Sequence, residues 1–145
     1  MKWTLVTGGA KRLGAELCVY LAEQGYSIIV HYHRSKKEAL EVAARCQEKG
    51  VQAATIAGDF SSSETTMDFV SRYTDEFPET ENLINNVGNY IIKSALQTNL
   101  KEWTDLFQTN FFTPINTFAY QYIFLLLKKN IITTLYISVQ NLNNC

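Results

Sequence analysis

The feature that most constrains this chain is a glycine-rich turn placed directly between a buried strand and a helix. Lys2–Thr7 is a short apolar run that reads as a strand, and Thr7-Gly8-Gly9-Ala10-Lys11-Arg12-Leu13-Gly14 follows it at once. Leu13, Leu17, Tyr20 and Leu21 then recur at helical spacing, and Gly25 supplies a stop. A strand, a glycine turn and a helix start form the setting in which a dinucleotide pyrophosphate sits. Glycines let the backbone come close to the phosphates, and the helix N-terminus offers unpaired N–H groups with partial positive charge. The plain alternative is a tight turn with no ligand.

The rest of the chain repeats the alternation. Ser27–Tyr32 reads as a second buried strand, and Ser35 with Glu38 reads as a capping box for a helix to about Lys49, ended by Gly50. Gln52–Ala57 is a third strand. Ser61 and Glu64 read as the next capping box, for a helix to about Phe77 that Pro78 blocks. Asn82–Asn86 is a fourth strand, and Asn99 and Glu102 stand as N-cap and N3 of a long helix to about Lys128. Ile131–Ser138 is β-branched and reads as a fifth strand. Crossovers of this length make a parallel sheet with helices on both faces. The expectation is one α/β domain, residues 1–145, of the Rossmann type: a doubly wound parallel sheet of about five strands.

Composition narrows the function. The 145 residues carry a net charge of −1 with scattered cations, which gives no footprint for a nucleic-acid partner. Cys18, Cys46 and Cys145 are too few and too widely spaced for a disulfide framework or a zinc site, and they fit a reducing cytoplasm. Met1–Val6 runs straight into the motif with no signal peptide, and Ile115–Leu127 is too short and too interrupted for a membrane span. That run reads as a buried helix.

At the phosphate turn the sequence resembles the short-chain dehydrogenase/reductase family, whose fingerprint is Thr-Gly-x-x-x-Gly-x-Gly. Thr7, Gly8 and Gly14 match, and Arg12 stands where the middle glycine usually sits. That departure resembles the pteridine-reductase branch, where the turn reads Lys-Arg-Leu-Gly, as Lys11–Gly14 do here. Arg12 then either adds a fixed charge beside the pyrophosphate or points into solvent. At the end of the second strand, His31-Tyr32-His33-Arg34-Ser35-Lys36-Lys37 holds no carboxylate. An acidic residue there would bond the ribose hydroxyls and repel a 2′-phosphate. Arg34, Ser35 and His33 suit a phosphate instead, so NADP(H) is the expected cofactor. His31 and His33 share a strand face, but no third ligand accompanies them and no metal is expected.

The resemblance implies further roles. Asp59 and Phe60 fall where family members meet the adenine, by a carboxylate and a main-chain N–H. Asn85-Asn86-Val87-Gly88 resembles the family's Asn-Asn-Ala-Gly, with Val87 in place of Ala. Asn110 matches an Asn that helps hold a catalytic Lys, and Ser138 falls near the fifth-strand position of a catalytic Ser. The catalytic Tyr-x-x-x-Lys itself does not follow Ser138. Tyr32 and Lys36 match that string by chance, at the wrong end of the fold. The resemblance covers residues 1 to about 114, roughly half of a full member. Lys128 and Lys129 are the only charges in the last 40 residues, which suggests a frameshift or premature stop near residue 120. Two readings result: an NADP(H)-dependent oxidoreductase acting on a carbonyl or pterin-like small molecule, or an inactive nucleotide-binding module. Family members are homo-oligomers through the helix after Asn99. A shortened chain would expose an edge strand and apolar surface.

Overall fold

A computed structural model of the chain describes residues 3–126 and 132–135. Its elements are β1 (Trp3–Val6), α1 (Arg12–Glu23), β2 (Ser27–Tyr32), α2 (Lys36–Gln47), β3 (Ala53–Ala57), α3 (Ser63–Glu76), β4 (Thr80–Asn85), α4 (Leu100–Phe107), α5 (Thr113–Leu126) and β5 (Ile132–Leu135). The strands form one parallel sheet in the order β3-β2-β1-β4-β5. The Rossmann-type expectation is therefore met. Chain order reverses direction between β1 and β4, which opens a crevice at the carboxyl ends of those strands.

Strand periodicity divides the core in two. Successive side chains leave opposite faces, so neighbours in one strand serve different layers. Val6, Ile28 and Val30 face α1 and α2, where they meet Ala15, Cys18, Val19, Ala22, Ala39, Val42, Ala43 and Cys46. Leu5, Ile29, Ile56 and Leu83 face the other way, onto Phe69, Val70 and Tyr73 of α3 and Phe77 just after it. One layer is built from small side chains and the other from rings. Burying each large apolar side chain contributes about 1.5–3 kcal/mol.

Several local expectations are corrected. Leu13 and Tyr20 are exposed, because α1 approaches the sheet through Gly14, Ala15, Cys18, Val19 and Ala22. Small residues let the helix come closer than Leu13 and Tyr20 would allow. Ser35 precedes α2 without a side-chain cap, since Glu38 instead reaches Lys11, 2.8 Å away. The box at α3 is formed by Ser62 and Thr65 rather than Ser61 and Glu64, because the carboxylate of Asp59 takes the N–H of Ser61. Asn99 and Glu102 do cap α4 as expected, with reciprocal bonds of 2.9 Å. The long helix is not continuous: a π-helical turn, Gln108–Phe112, separates α4 from α5. The start of α5 is not wholly buried either. Thr113 and Thr117 point inward and Ile115 is exposed.

Candidate cofactor site

The loops after β1, β2, β3 and β4 converge on the carboxyl edge of the sheet. Their geometry follows from backbone packing at the switch point. Thr7 is buried, and its hydroxyl donates to Ile84 O and accepts the N–H groups of Asn86 and Val87 at 2.9 and 3.2 Å. The Asn86 amide donates to Thr7 O at 3.0 Å and Gly8 O at 3.2 Å. The turn after β1 is thus fastened to the turn after β4. This closeness dictates Gly14: a Cβ there would run into the Gly8 carbonyl and lie 2.6 Å from the Asn86 amide. Gly8 has φ +63°, and a side chain would press on Val87 Cγ2 at 3.1 Å. Val87, larger than the expected Ala, therefore packs directly on the turn.

The helix start is left open. α1 has no side-chain cap and no acidic residue in its first turn, unlike α3 and α4 with their capping boxes. The first N–H groups of a helix lack internal partners, so this end favours an anion. Arg12 is exposed and carries φ +51°, the one left-handed residue other than glycine among those described. That conformation explains why a glycine serves this position well: an L side chain there costs about 1–2 kcal/mol.

Beside the turn lies an open cleft of about 510 Å³, lined by Gly8, Ala10, Lys11, Tyr32, His33, Arg34 and Ser35. The structure brings these predicted residues together. Leu13 belongs to the same helix start but does not line the cleft. Lys11 pairs with Glu38, and that hydrogen bond holds the Glu38 carboxyl below its usual range. His33 Nε2 stands 3.8 Å from Asp59 Oδ1. Asp59 is also held low in pKa, first by the N–H of Ser61. One Asp59 oxygen is thereby committed to its own loop. Phe60 is buried, with its ring stacked on His31 rather than facing the cleft. His31 and His33 do not share an environment: His31 is enclosed in the sheet and His33 is exposed beyond the end of β2. Tyr32 and Lys36 sit at the end of β2 and the start of α2, away from the switch point.

On the other side of the crevice, Gly88 is exposed and Asn89 follows it. Asn110, in the π-helical turn, accepts the Asn89 N–H at 2.7 Å and donates to the Asn89 carbonyl at 2.6 Å. π-helical turns are frequent at functional sites. Asn110 thus holds the loop after β4, a contact that sequence reading did not foresee. Ser138 lies outside the described residues.

Residues 2–131 match the family model described as short chain dehydrogenase. The chain belongs to the short-chain dehydrogenase family. Among curated relatives, it is 32% identical over 111 residues to the 3-oxoacyl-[acyl-carrier-protein] reductase FabG of Staphylococcus epidermidis, covering 75% of this chain and 45% of that one. It is 29% identical over 109 residues to the hydroxynaphthalene reductase arp2 of Aspergillus fumigatus, covering 75% and 40%. The chain spans less than half the length of these relatives. Among solved structures, acetoin dehydrogenase YohF from Salmonella typhimurium superposes with a TM-score of 0.83 at 20% identity, covering 91% of this chain and 53% of that one. A metagenomic short-chain oxidoreductase in complex with NADP gives 0.82 at 20%, covering 91% and 60%. At such identity the structures speak for the fold.

The family to which the chain belongs is one of oxidoreductases that use a nicotinamide cofactor. Residues Gly8–Gly14, Tyr32–Ser35, Asp59–Phe60 and Asn86–Gly88 all lie at the carboxyl edge where a Rossmann fold takes its ligand. Sequence reading missed the connectors. His31 drew notice only as part of the string at the end of β2 and of a histidine pair for which no metal was expected, yet its imidazole and carbonyl take the N–H groups of Gly8 and Gly9. Gly58 went unremarked, although a Cβ there would stand 2.8 Å from His31 Nε2. Among the described residues no helix is long and apolar enough to cross a membrane.

Proposed function

We propose that this chain binds NADP(H) along the carboxyl edge of its sheet as the cofactor-binding part, residues 1–145, of an oxidoreductase that transfers hydride to a small carbonyl substrate. The observation that carries the reading is the cleft after β2. Arg34, His33 and Ser35 line it beside Gly8 and Lys11, and no carboxylate is among the lining residues. An acidic residue at this position would select the bare ribose of NAD, whereas Arg34 can take a 2′-phosphate through two N–H groups. The open α1 N-terminus then receives the pyrophosphate, with Arg12 and Lys11 at its rim. Lys11 exchanges Glu38 for phosphate, or shares itself between them.

Val87 and Gly88 line the passage toward the nicotinamide, and Asn110 fixes the loop beside it. In this reading Asn110 and Ser138 belong to the catalytic end. The Tyr and Lys that would complete proton transfer have no counterpart in the sequence other than Tyr32 and Lys36. The bound cofactor supplies the hydride. The chain's own residues grip its phosphates, orient its rings and shape the crevice. For substrate, the reductases among the relatives favour a carbonyl compound. A pterin-like heterocycle is the substrate that the resemblance of Lys11–Gly14 to the pteridine-reductase turn suggests. A cytoplasmic location and a homo-oligomer belong to the same proposal.

Titration of the purified chain with NADPH and NADH, followed by nucleotide fluorescence, tests it. NADPH binds more tightly by at least about tenfold, roughly 1.4 kcal/mol. Arg34→Asp abolishes that preference or reverses it. Equal affinity for both cofactors, unchanged in Arg34→Asp, would contradict the assignment. Binding without turnover of any carbonyl would favour the inactive nucleotide-binding module.

A further inference from the structure

His31 is one of the largest fully enclosed side chains in the described structure. It stands one residue before the end of β2, opposite Ile56 of β3. Its Nδ1 accepts the Gly8 N–H at 2.9 Å, and its carbonyl accepts the Gly9 N–H at 2.9 Å. An accepting Nδ1 must lack a proton, so the proton sits on Nε2, which donates to the Gly58 carbonyl at 3.3 Å. The ring is fixed laterally as well. It stacks on Phe60 with centroids 4.4 Å apart and planes 7° apart, and Phe69 meets it edge-on at 5.0 Å. Gly58 has no side chain because a Cβ would lie 2.5 Å from Phe69 and 2.8 Å from Nε2. One imidazole therefore bridges the loop after β1 and the loop after β3.

The Gly8 end of this bridge matters for ligand binding. With φ +63°, Gly8 turns its N–H into the sheet, where only the imidazole accepts it. Gly9 is likewise committed inward. The bonds leave the amides at the α1 N-terminus as the outward-facing donors of the turn. The charged and titratable groups around the ring are His33, on the far side of Tyr32, and Arg72 of α3, which donates to the Ala57 carbonyl at 2.9 Å. Neither bonds the imidazole. A proton on Nδ1 would face the Gly8 N–H directly, so the bridge works only with the neutral ring.

We propose that His31 is the positioning residue of the phosphate turn: its neutral imidazole, accepting from Gly8 and donating to Gly58, aims the α1 N-terminus at the pyrophosphate and ties that aim to the loop after β3. The inference rests on the NADP(H) reading and deepens it. His31 touches no phosphate itself and acts through the backbone of Gly8.

The test compares the full chain with His31→Leu and His31→Asn against two ligands. NADPH carries the pyrophosphate, and 2′-AMP carries adenine, ribose and the 2′-phosphate without it. His31→Leu weakens NADPH by about tenfold, the scale of one lost hydrogen bond, and changes 2′-AMP by less than about threefold. His31→Asn, whose side-chain oxygen falls near the place of Nδ1, recovers most of the NADPH affinity. Equal weakening of both ligands, or no rescue by the folded Asn variant, would overturn the proposal. Nitrogen NMR of the unliganded wild-type imidazole adds a readout that no variant can spoil by failing to fold. The Nε2–H tautomer with coupling from the Gly8 amide into Nδ1 is expected, and an Nδ1–H tautomer would overturn the bridge. A wild-type chain that shows this coupling yet binds no NADPH would count against the cofactor reading and overturn the aiming role with it, leaving the bridge as packing alone.

Discussion

Single residues at the carboxyl edge are chosen by conformations that only structure reveals. Arg12 shows this best, because it holds φ +51° where glycine would be unstrained. Arg12→Gly relieves about 1–2 kcal/mol of strain and returns about 0.5–1 kcal/mol through the freer unfolded chain. The variant is expected to gain up to about 1.5 kcal/mol in denaturant unfolding and to bind NADPH more weakly for want of the charge. A loss of stability would show that Arg12 has a folded-state partner that outweighs its strain. His31 makes a second prediction at this scale. Burial pushes its pKa down to about 4, so between pH 4 and 6.5 the unfolded chain binds more protons than the folded one. Stability is full above about pH 6.5 and falls as pH drops through that window, by up to about 3 kcal/mol. The carboxyls of Glu38, Asp59 and Glu102 are held below their usual range by hydrogen bonds, so their losses fall toward the acid end and leave the upper part of the window to the imidazole. Urea unfolding against pH should show this slope between 4.5 and 6.5, and His31→Asn should flatten it. An identical slope in the variant would refute the assignment.

Elements were legible where their signals are local and misread where neighbours intervene. The four strands from β1 to β4 follow from apolar runs, and the cap of α4 from Asn99 and Glu102. The caps of α2 and α3 were misread because Lys11 draws Glu38 away and Asp59 takes Ser61, contacts that depend on loops folded elsewhere. The inward face of α1 was misread for a related reason. Apolar size suggested Leu13 and Tyr20, but close approach to the sheet selects Ala and Cys. The π-helical turn has no sequence signature that periodicity could catch, since it inserts one residue's worth of phase into an unbroken helical pattern. That turn is what brings Asn110 onto Asn89. Asn110→Ala should leave global stability within about 1–2 kcal/mol while freeing the loop after β4. Hydrogen exchange should then accelerate at residues 88–93 and stay unchanged in β1 and β2. Uniform acceleration would mean that Asn110 supports the whole sheet instead.

At the scale of the molecule, α4 leaves an apolar stripe outward. Leu100, Trp103, Phe107 and Phe111 recur three or four residues apart and are 81%, 40%, 52% and 52% exposed. Trp103, Phe107 and Phe111 lie in a chain of ring contacts at 6.3 and 6.4 Å. A patch of this kind marks an association surface. The chain is expected to sediment as a dimer or larger species, and Phe107→Glu with Phe111→Glu should shift it toward monomer. An unchanged sedimentation profile would place the contact elsewhere. How the chain would complete a catalytic centre was the least legible part, because the chain spans less than half the length of the curated relatives it matches. The candidate site's place at the carboxyl edge was legible, since its glycines and its basic loop sit at fixed places in the order of elements. Its internal fastenings through His31, Gly58 and Asn89 were not, because they join residues that only the folded sheet makes neighbours.

The measurement that bears most directly on the central claim is an amide chemical-shift map of the chain on addition of NADPH. Binding along the carboxyl edge predicts the largest changes at Gly8–Gly14, Tyr32–Ser35 and Asn86–Gly88, and smaller ones at Asp59 and Phe60. The amino ends of the strands, including Ser27 and Ala53, should stay still. Shifts centred away from that edge, or none at saturating NADPH, would contradict the account.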